Sequence, residues 1–179
     1  MDTFTLSPTR RLDHLTFKGN LKETRYGWLR LTPAYSVHLV AEILDQHAPI
    51  GSSVLDPFCG TGTTALVCAE RGLQCDTTDI NPFLLWLAKV KSSRYSAPNL
   101  LRVVEIGTAV LRAIGNVGST PEWMPPLHQI EKWWDEASLY ALGRAFAVIK
   151  HAEGNEPAPV VDLLKVIFCR TMIACSNAS

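Results

Sequence analysis

The sequence predicts an α/β chain: the opening strands and helices of a doubly wound parallel sheet, followed by a helical extension. Three observations carry that reading. "SSVLDPF" at 52–58 is an apolar strand running straight into the glycine turn Gly60-Thr61-Gly62. "LQCDTTD" at 73–79 supplies a second strand after an intervening helical stretch. Beyond residue 98 only helical patterns follow, with no third or fourth strand. At 179 residues the chain is long enough for one domain with a real core and too short for two of ordinary size. The expected division is an N-terminal arm at 1–31, an α/β half-domain at 32–98 and a helical extension at 99–179.

In the arm, short strands are expected at Thr3–Leu6 and Leu15–Lys18. "LTPAYSVHLVAEILDQH" then starts a helix, with Thr32 as N-cap and Pro33 at the first helical position. Val37, Val40, Ile43, Leu44 and His47 recur at helical spacing, and Pro49 and Gly51 stop the helix. After the first strand, "TTALVCAERG" reads as a helix ending on Gly72 as a left-handed cap. "INPFLLWLAKVKSSRYS" reads as the next helix, capped by Asn81, with Lys89, Lys91 and Arg94 at its end to suit the helix dipole. Helices follow at Leu100–Ile114 and Ile130–Lys150, the second with Trp134, Ala137, Ala141, Ala145, Val148 and Ile149 on one face. A last helix from about Val160 is apolar nearly all round, so it must be buried against something. With no strands to cover it, it is the expected docking surface, and a homodimer is one form such docking takes.

Lys+Arg and Asp+Glu balance at 17 each, so no overall charge draws the molecule to nucleic acid. Residues 1–30 alone carry six Lys or Arg against three Asp or Glu, a local net of +3 (6 − 3), which suits a solvated arm and phosphate contact equally. The five cysteines (Cys59, Cys68, Cys75, Cys169 and Cys175) are odd in number and form no C-x-x-C, which argues for reduced thiols in the cytoplasm and against a zinc site. The five histidines are scattered without ligand spacing. The start of the chain is polar and charged, without a secretory pattern, and the most apolar stretch, Val160–Cys175, is interrupted by Asp162, Lys165 and Arg170 and too short to span a bilayer.

The chemistry concentrates at the glycine turn. Gly60-Thr61-Gly62-Thr63-Thr64-Ala65 fits G-x-G-x-x-G/A, and Asp79 follows where a ribose-binding carboxylate belongs, so a nicotinamide dinucleotide is the first guess. Asp56 argues against it. At the strand's mouth it would repel a pyrophosphate, whereas it suits a ligand with a cationic end. S-adenosylmethionine has that end, an α-ammonium and a sulfonium, with Asp56 serving it and Asp79 the ribose.

"DPFCGTGTT" resembles the cofactor motif of the DNA amino-methyltransferases, which act on cytosine N4 or adenine N6. The resemblance implies a Rossmann-like class I methyltransferase fold, present here in part. It also implies a set of S-adenosyl-L-methionine contacts: Asp56, Pro57, Phe58, Gly60, Thr61 and Gly62. "DINP" is similar to that family's next motif, implying Asp79 on the ribose and Ile80 on the adenine. "LTPAYS" resembles its remaining cofactor motif, which implies Thr32 and Pro33 near the methionine part. "IEKWWDEASLYAL" looks like a helical insertion of some members, which favours cytosine N4 over adenine N6. DNA is then the implied partner and restriction-modification the implied setting. Without that resemblance, Cys59 is a small buried residue, Thr63 and Thr64 are first-turn helix residues, and Trp133 and Trp134 are packing.

The family's catalytic motif, Ser/Asp/Asn-Pro-Pro-aromatic, has no match. Met124-Pro125-Pro126-Leu127 has the prolines, but Met124 is a poor acceptor and Leu127 cannot stack a base. No catalytic residue is expected in this chain, which reads as a truncated product or as the cofactor-binding part of an enzyme that a second polypeptide completes. Two other readings stay open: a guanine-N2 RNA methyltransferase, which shares the look of "DPFCGTGT", and a non-catalytic cofactor-binding subunit.

Overall fold

The computed structural model describes residues 17–22, 25–29, 34–116, 120–121 and 123–177. Thr32 and Pro33 lie outside these residues, as do Thr3–Leu6 and the start of Leu15–Lys18. The chain divides into two compact units, Met1–Ser92 and Ser93–Ser179, where its length suggests one domain. Among the described residues the architecture is mixed α/β, with a two-stranded parallel sheet and six α-helices.

In the first unit, Phe17–Lys22 is 3-10 helix, so the expected strand ending at Lys18 does not form there. A second 3-10 turn, Arg25–Gly27, buries Tyr26. Helix α1 spans Val37–His47, starting five residues after the expected cap at Thr32. The cause is tertiary. Ser36 stands at the N-cap without a side-chain bond to the helix, and Asn20 takes over. Its Oδ1 accepts the Val37 N–H at 2.8 Å, while its Nδ2 donates to the Tyr35 carbonyl at 2.7 Å. The buried Asn20 thus satisfies a helix terminus from 17 residues away. Val40 and Leu44 face the core as their spacing predicts, but Ile43 is 48% exposed.

Strands β1 (Ser53–Asp56) and β2 (Gln74–Thr77) pair in parallel, Ser53 opposite Gln74 and Asp56 opposite Thr77. Helix α2 (Thr63–Arg71) connects them, and Gly72 ends it at φ +68°, the expected left-handed cap. Val54 and Cys75 pack with Tyr26, Val40, Leu44, Leu66, Val67 and Cys68 in one apolar cluster. The alternate residues Ser53, Leu55, Gln74 and Asp76 are exposed, Leu55 by 68%. The sheet is therefore covered on one face and bare on the other, whereas parallel sheets are ordinarily covered on both.

Helix α3 (Pro82–Ser92) begins under the Asn81 side chain, whose Oδ1 accepts the Phe83 N–H at 3.0 Å. The expectation for its last turn fails at two residues. Arg94 lies beyond the helix end. Lys91 is buried to 1% exposure and does not reach solvent at the helix end.

The second unit is helical. Helix α4 (Ala97–Gly115) is capped by Ser96, and α5 (Glu136–Ala152) by Asp135, which accepts the Ser138 N–H at 2.7 Å. That bond holds the Asp135 carboxyl below the usual carboxylate range. The expected helix from Ile130 is broken: Ile130–Lys132 is a 3-10 turn, and Trp134 lies before α5. Trp134 donates its indole N–H to the Met172 carbonyl at 2.9 Å, a packing role, while Trp133 is 51% exposed.

Helix α6 (Ala158–Ala174) corrects the docking expectation. Val160, Val161, Leu163, Leu164 and Val166 are buried within this unit, where α6 packs on α4 and α5. The apolar run from Val160 is mostly core, with Ile167 and Ile173 left exposed. No described helix is long and apolar enough to cross a membrane.

Candidate functional site

The glycine turn stands where β1 and β2 end side by side. β1 is a short apolar strand whose last residue, Asp56, carries the turn, and four hydrogen bonds stitch the two strand ends together. Thr78 N–H donates to the Asp56 carbonyl at 3.1 Å and Cys59 N–H to the Thr78 carbonyl at 2.9 Å. The Thr78 hydroxyl donates to the Pro57 carbonyl at 2.9 Å. Gly60 N–H donates to Asp79 Oδ2 at 2.9 Å. The other oxygen of Asp79 accepts the Asn81 N–H at 2.8 Å. Asp79 thus supports both the turn from β1 and the entry to α3, while Asn81 caps that helix.

Gly60 and Gly62 both have left-handed backbones, at φ +51° and +76°. A Cβ at Gly60 would meet only the Phe58 carbonyl oxygen, at 3.6 Å, so its backbone conformation alone favours glycine. Gly62 has a second reason. A Cβ there would lie 2.6 Å from Ala88 Cβ and 2.7 Å from Ala88 Cα, so bare backbone lets α3 pack against the turn. Thr61 and Thr63 are buried, their hydroxyls 3.4 Å apart.

Two kinds of unsatisfied surface surround this turn. Asp56 is 7% exposed; its Oδ1 accepts the Phe58 N–H at 3.1 Å, but its buried Oδ2 has no partner among the described residues. An orphaned carboxylate oxygen is costly, and a donor or cation that reaches it gains accordingly. Asp56 also borders a cleft of about 380 Å³ together with Tyr35, Leu39, Ile43, Leu55 and Thr64. In contrast, Phe58 and Ile80, which follow the two strand ends, are bare apolar side chains at 74% and 101% exposure. Pro57 is exposed beside them. A ligand with a cationic end and a flat aromatic end has chemistry for both surfaces, and S-adenosylmethionine fits this set of residues better than a pyrophosphate does.

Cys59 is 3% exposed, and its burial pushes the thiol pKa up against a weaker opposing hydrogen bond from Thr77. A buried thiol held protonated in this way suits space-filling over nucleophilic attack. Among the described residues no cluster of three or more His, Cys, Asp or Glu side chains could hold a metal.

Sequence reasoning missed Asn20 and Lys91. The second was detectable, because Leu84, Leu87, Ala88 and Lys91 share helical spacing and Leu87 and Ala88 are buried.

Comparison with known proteins bears on this same region. A family model described as DNA methylase, for N6 and N4 methyltransferases, matches residues 18–90. The N-terminal part of this chain is thus similar to the DNA amino-methyltransferases. The matched region contains both strands, the glycine turn and Asp79. The Type II methyltransferase M.AvaI of Nostoc sp. is 26% identical over 95 residues, covering 51% of this chain and 20% of that protein. The Type II methyltransferase M.MjaII of Methanocaldococcus jannaschii is 36% identical over 66 residues, covering 37% of this chain and 12% of that protein. M.BsoBI of Geobacillus stearothermophilus, also a Type II methyltransferase, is 29% identical over 69 residues, covering 38% and 14%. The matched stretch is thus a fifth or less of each relative's length. No solved structure matches.

Asp79→Ala tests this turn directly. It removes a charged acceptor from the Gly60 and Asn81 N–H groups, and from the ribose of the expected cofactor, so affinity for S-adenosylhomocysteine should fall by about 1.5–3 kcal/mol. Calorimetry reads that loss, and Asp79→Asn separates its sources. Asp79→Asn keeps one acceptor but turns an amide N–H toward the other backbone donor, so it should melt between wild type and Asp79→Ala and bind weakly. Unchanged affinity in both variants would remove Asp79 from the site.

Proposed function

We propose that this chain is the S-adenosylmethionine-binding portion of a DNA methyltransferase that acts on a base exocyclic amine, cytosine N4 in preference to adenine N6, within a restriction-modification system. The observation that carries the cofactor is the buried, unpartnered Oδ2 of Asp56 beside a glycine turn. A dinucleotide would bring phosphate charge toward that carboxylate, whereas the α-ammonium of S-adenosylmethionine is a donor with the right sign. Asp79 is the ribose acceptor, with Phe58 and Ile80 the apolar surfaces for the adenosine. Gly60, Thr61 and Gly62 shape the backbone between them, and Pro57 holds the strand's exit. Thr32 and Pro33 close over the methionine part.

The cofactor would supply the electrophilic methyl group; these residues bind and orient it. The amine's lone pair is delocalised into its ring, so transfer also needs a polar-Pro-Pro-aromatic segment to hold a flipped base, and this sequence has none. The bare face and open edge of the sheet call for further strands and helices, supplied by a second polypeptide or a continuation of this one. In the helical unit the run from Val160 to Val166 is mostly core, whereas the sheet of the first unit has a whole face left to be completed.

Titration of the chain with S-adenosylhomocysteine and with NAD in parallel tests the cofactor. Heat of binding with S-adenosylhomocysteine and none with NAD is the expected result. Tighter binding of NAD would sink the assignment.

A further inference from the structure

We infer that Lys91 is a positioning residue for the cofactor turn: from the core it pins the turn and the Arg25–Leu29 segment together through their backbone carbonyls. The inference rests on the turn being the S-adenosylmethionine site.

Lys91 is 1% exposed, and among the described residues no carboxylate pairs with its side-chain nitrogen. Its Nζ donates to the Thr61 carbonyl at 3.0 Å and to the Tyr26 carbonyl at 3.3 Å. Thr61 lies between the two left-handed glycines, outside any helix or strand. Tyr26 is anchored in turn by its hydroxyl, which donates to Glu70 Oε2 at 2.6 Å. The Arg25 guanidinium donates to Lys91's own carbonyl at 2.9 Å, closing the link from the other side. One buried amine therefore ties α3, the turn and the N-terminal segment at a single point. A bare apolar residue could fill the space but could not satisfy either carbonyl.

Burial also fixes the sign of the pH response. Desolvation lowers the Lys91 pKa to about 8 from its ordinary 10.5. The titratable group it faces is the Cys59 thiol, which itself feels Asp56 and Asp79; Arg25 and Glu70 act on the linked backbone as described. When the turn opens and Lys91 reaches water, its pKa returns toward the ordinary value. Between the two values the open form holds more protons than the closed form, so rising pH favours the closed turn. The neutral amine keeps two N–H groups, enough for both carbonyls.

Hydrogen exchange of the Cys59–Thr64 and Tyr26–Leu29 segments, corrected for the intrinsic effect of pH on exchange, tests this on the whole chain. In the wild type their protection should rise roughly tenfold or more from pH 7 to about pH 9.5, reversibly, while α1 changes little. In Lys91→Met the protection at pH 7 should be lower and the rise with pH absent, with S-adenosylhomocysteine affinity reduced roughly tenfold. A wild type whose turn loses protection on alkalinisation, or shows no change, overturns the inference without any need for the variant to fold. So does a folded Lys91→Met with wild-type protection and affinity. Failure of the wild type to bind S-adenosylhomocysteine, with the exchange results as expected, would strike the cofactor reading and leave the pin standing.

Discussion

Gly62→Val is expected to abolish cooperative folding of the first unit. Valine is β-branched and the position requires φ +76°, a backbone that such residues avoid at a cost of about 1–2 kcal/mol. Its Cβ would also stand 2.6–2.7 Å from Ala88, and one of those two atoms is backbone that cannot rotate away. Pushing α3 aside adds about 1–3 kcal/mol. A unit this small has little stability to lose, because small domains bury a modest share of their surface. Thermal unfolding followed by circular dichroism should show no sharp transition from the first unit. Gly60→Ala is the control. Its Cβ meets only one carbonyl oxygen at 3.6 Å, so it suffers the backbone term of about 1–2 kcal/mol and still folds. A Gly62→Val chain that melts like wild type would mean α3 does not pack as described. The packing of α3 therefore demands this glycine whether or not a ligand is present.

The second large effect is on activity. The purified chain should transfer no methyl group to DNA in a tritiated-methyl assay on mixed-sequence duplexes. Cofactor proximity contributes only part of the rate; holding the amine in line with the methyl group supplies several orders of magnitude more. No residue run here offers both a hydrogen-bond acceptor and a stacking ring flanking two prolines: Met124 and Leu127 occupy those places. Transfer should appear when a polypeptide carrying such a run completes the sheet. Incorporation by this chain alone, abolished by Asp79→Ala, would reveal a catalytic arrangement of another kind.

Local requirements were legible in the sequence, and long-range ones were not. Gly72 ends α2 because a helix needs a left-handed residue there, and its neighbours alone reveal that. Val54 and Cys75 enter the core on the alternation of their own strands. Asp79 at the end of a strand after a glycine turn was readable, though its grip on the Gly60 N–H was not. The start of α1 was misread because Asn20 caps it from outside the local pattern. Lys91 was read as a dipole partner because charge in a last turn usually means that; two carbonyls brought in by folding decided otherwise. The terminal helix reads as a docking surface because its cover comes from α4 and α5, and amphipathic pattern does not say which helices will meet.

The half-dressed sheet also bears on how such a protein is made. A ribosome delivers the first unit before anything that follows it, and among the described residues that unit leaves Leu55 and a strand edge facing solvent. Until cover arrives, edge-to-edge pairing between nascent copies competes with correct assembly, and the competition steepens with expression level. Synthesis in step with the completing segment, at low copy number, would favour the assembled form. Heavy overproduction of this chain by itself would favour inclusion bodies and proteolysis.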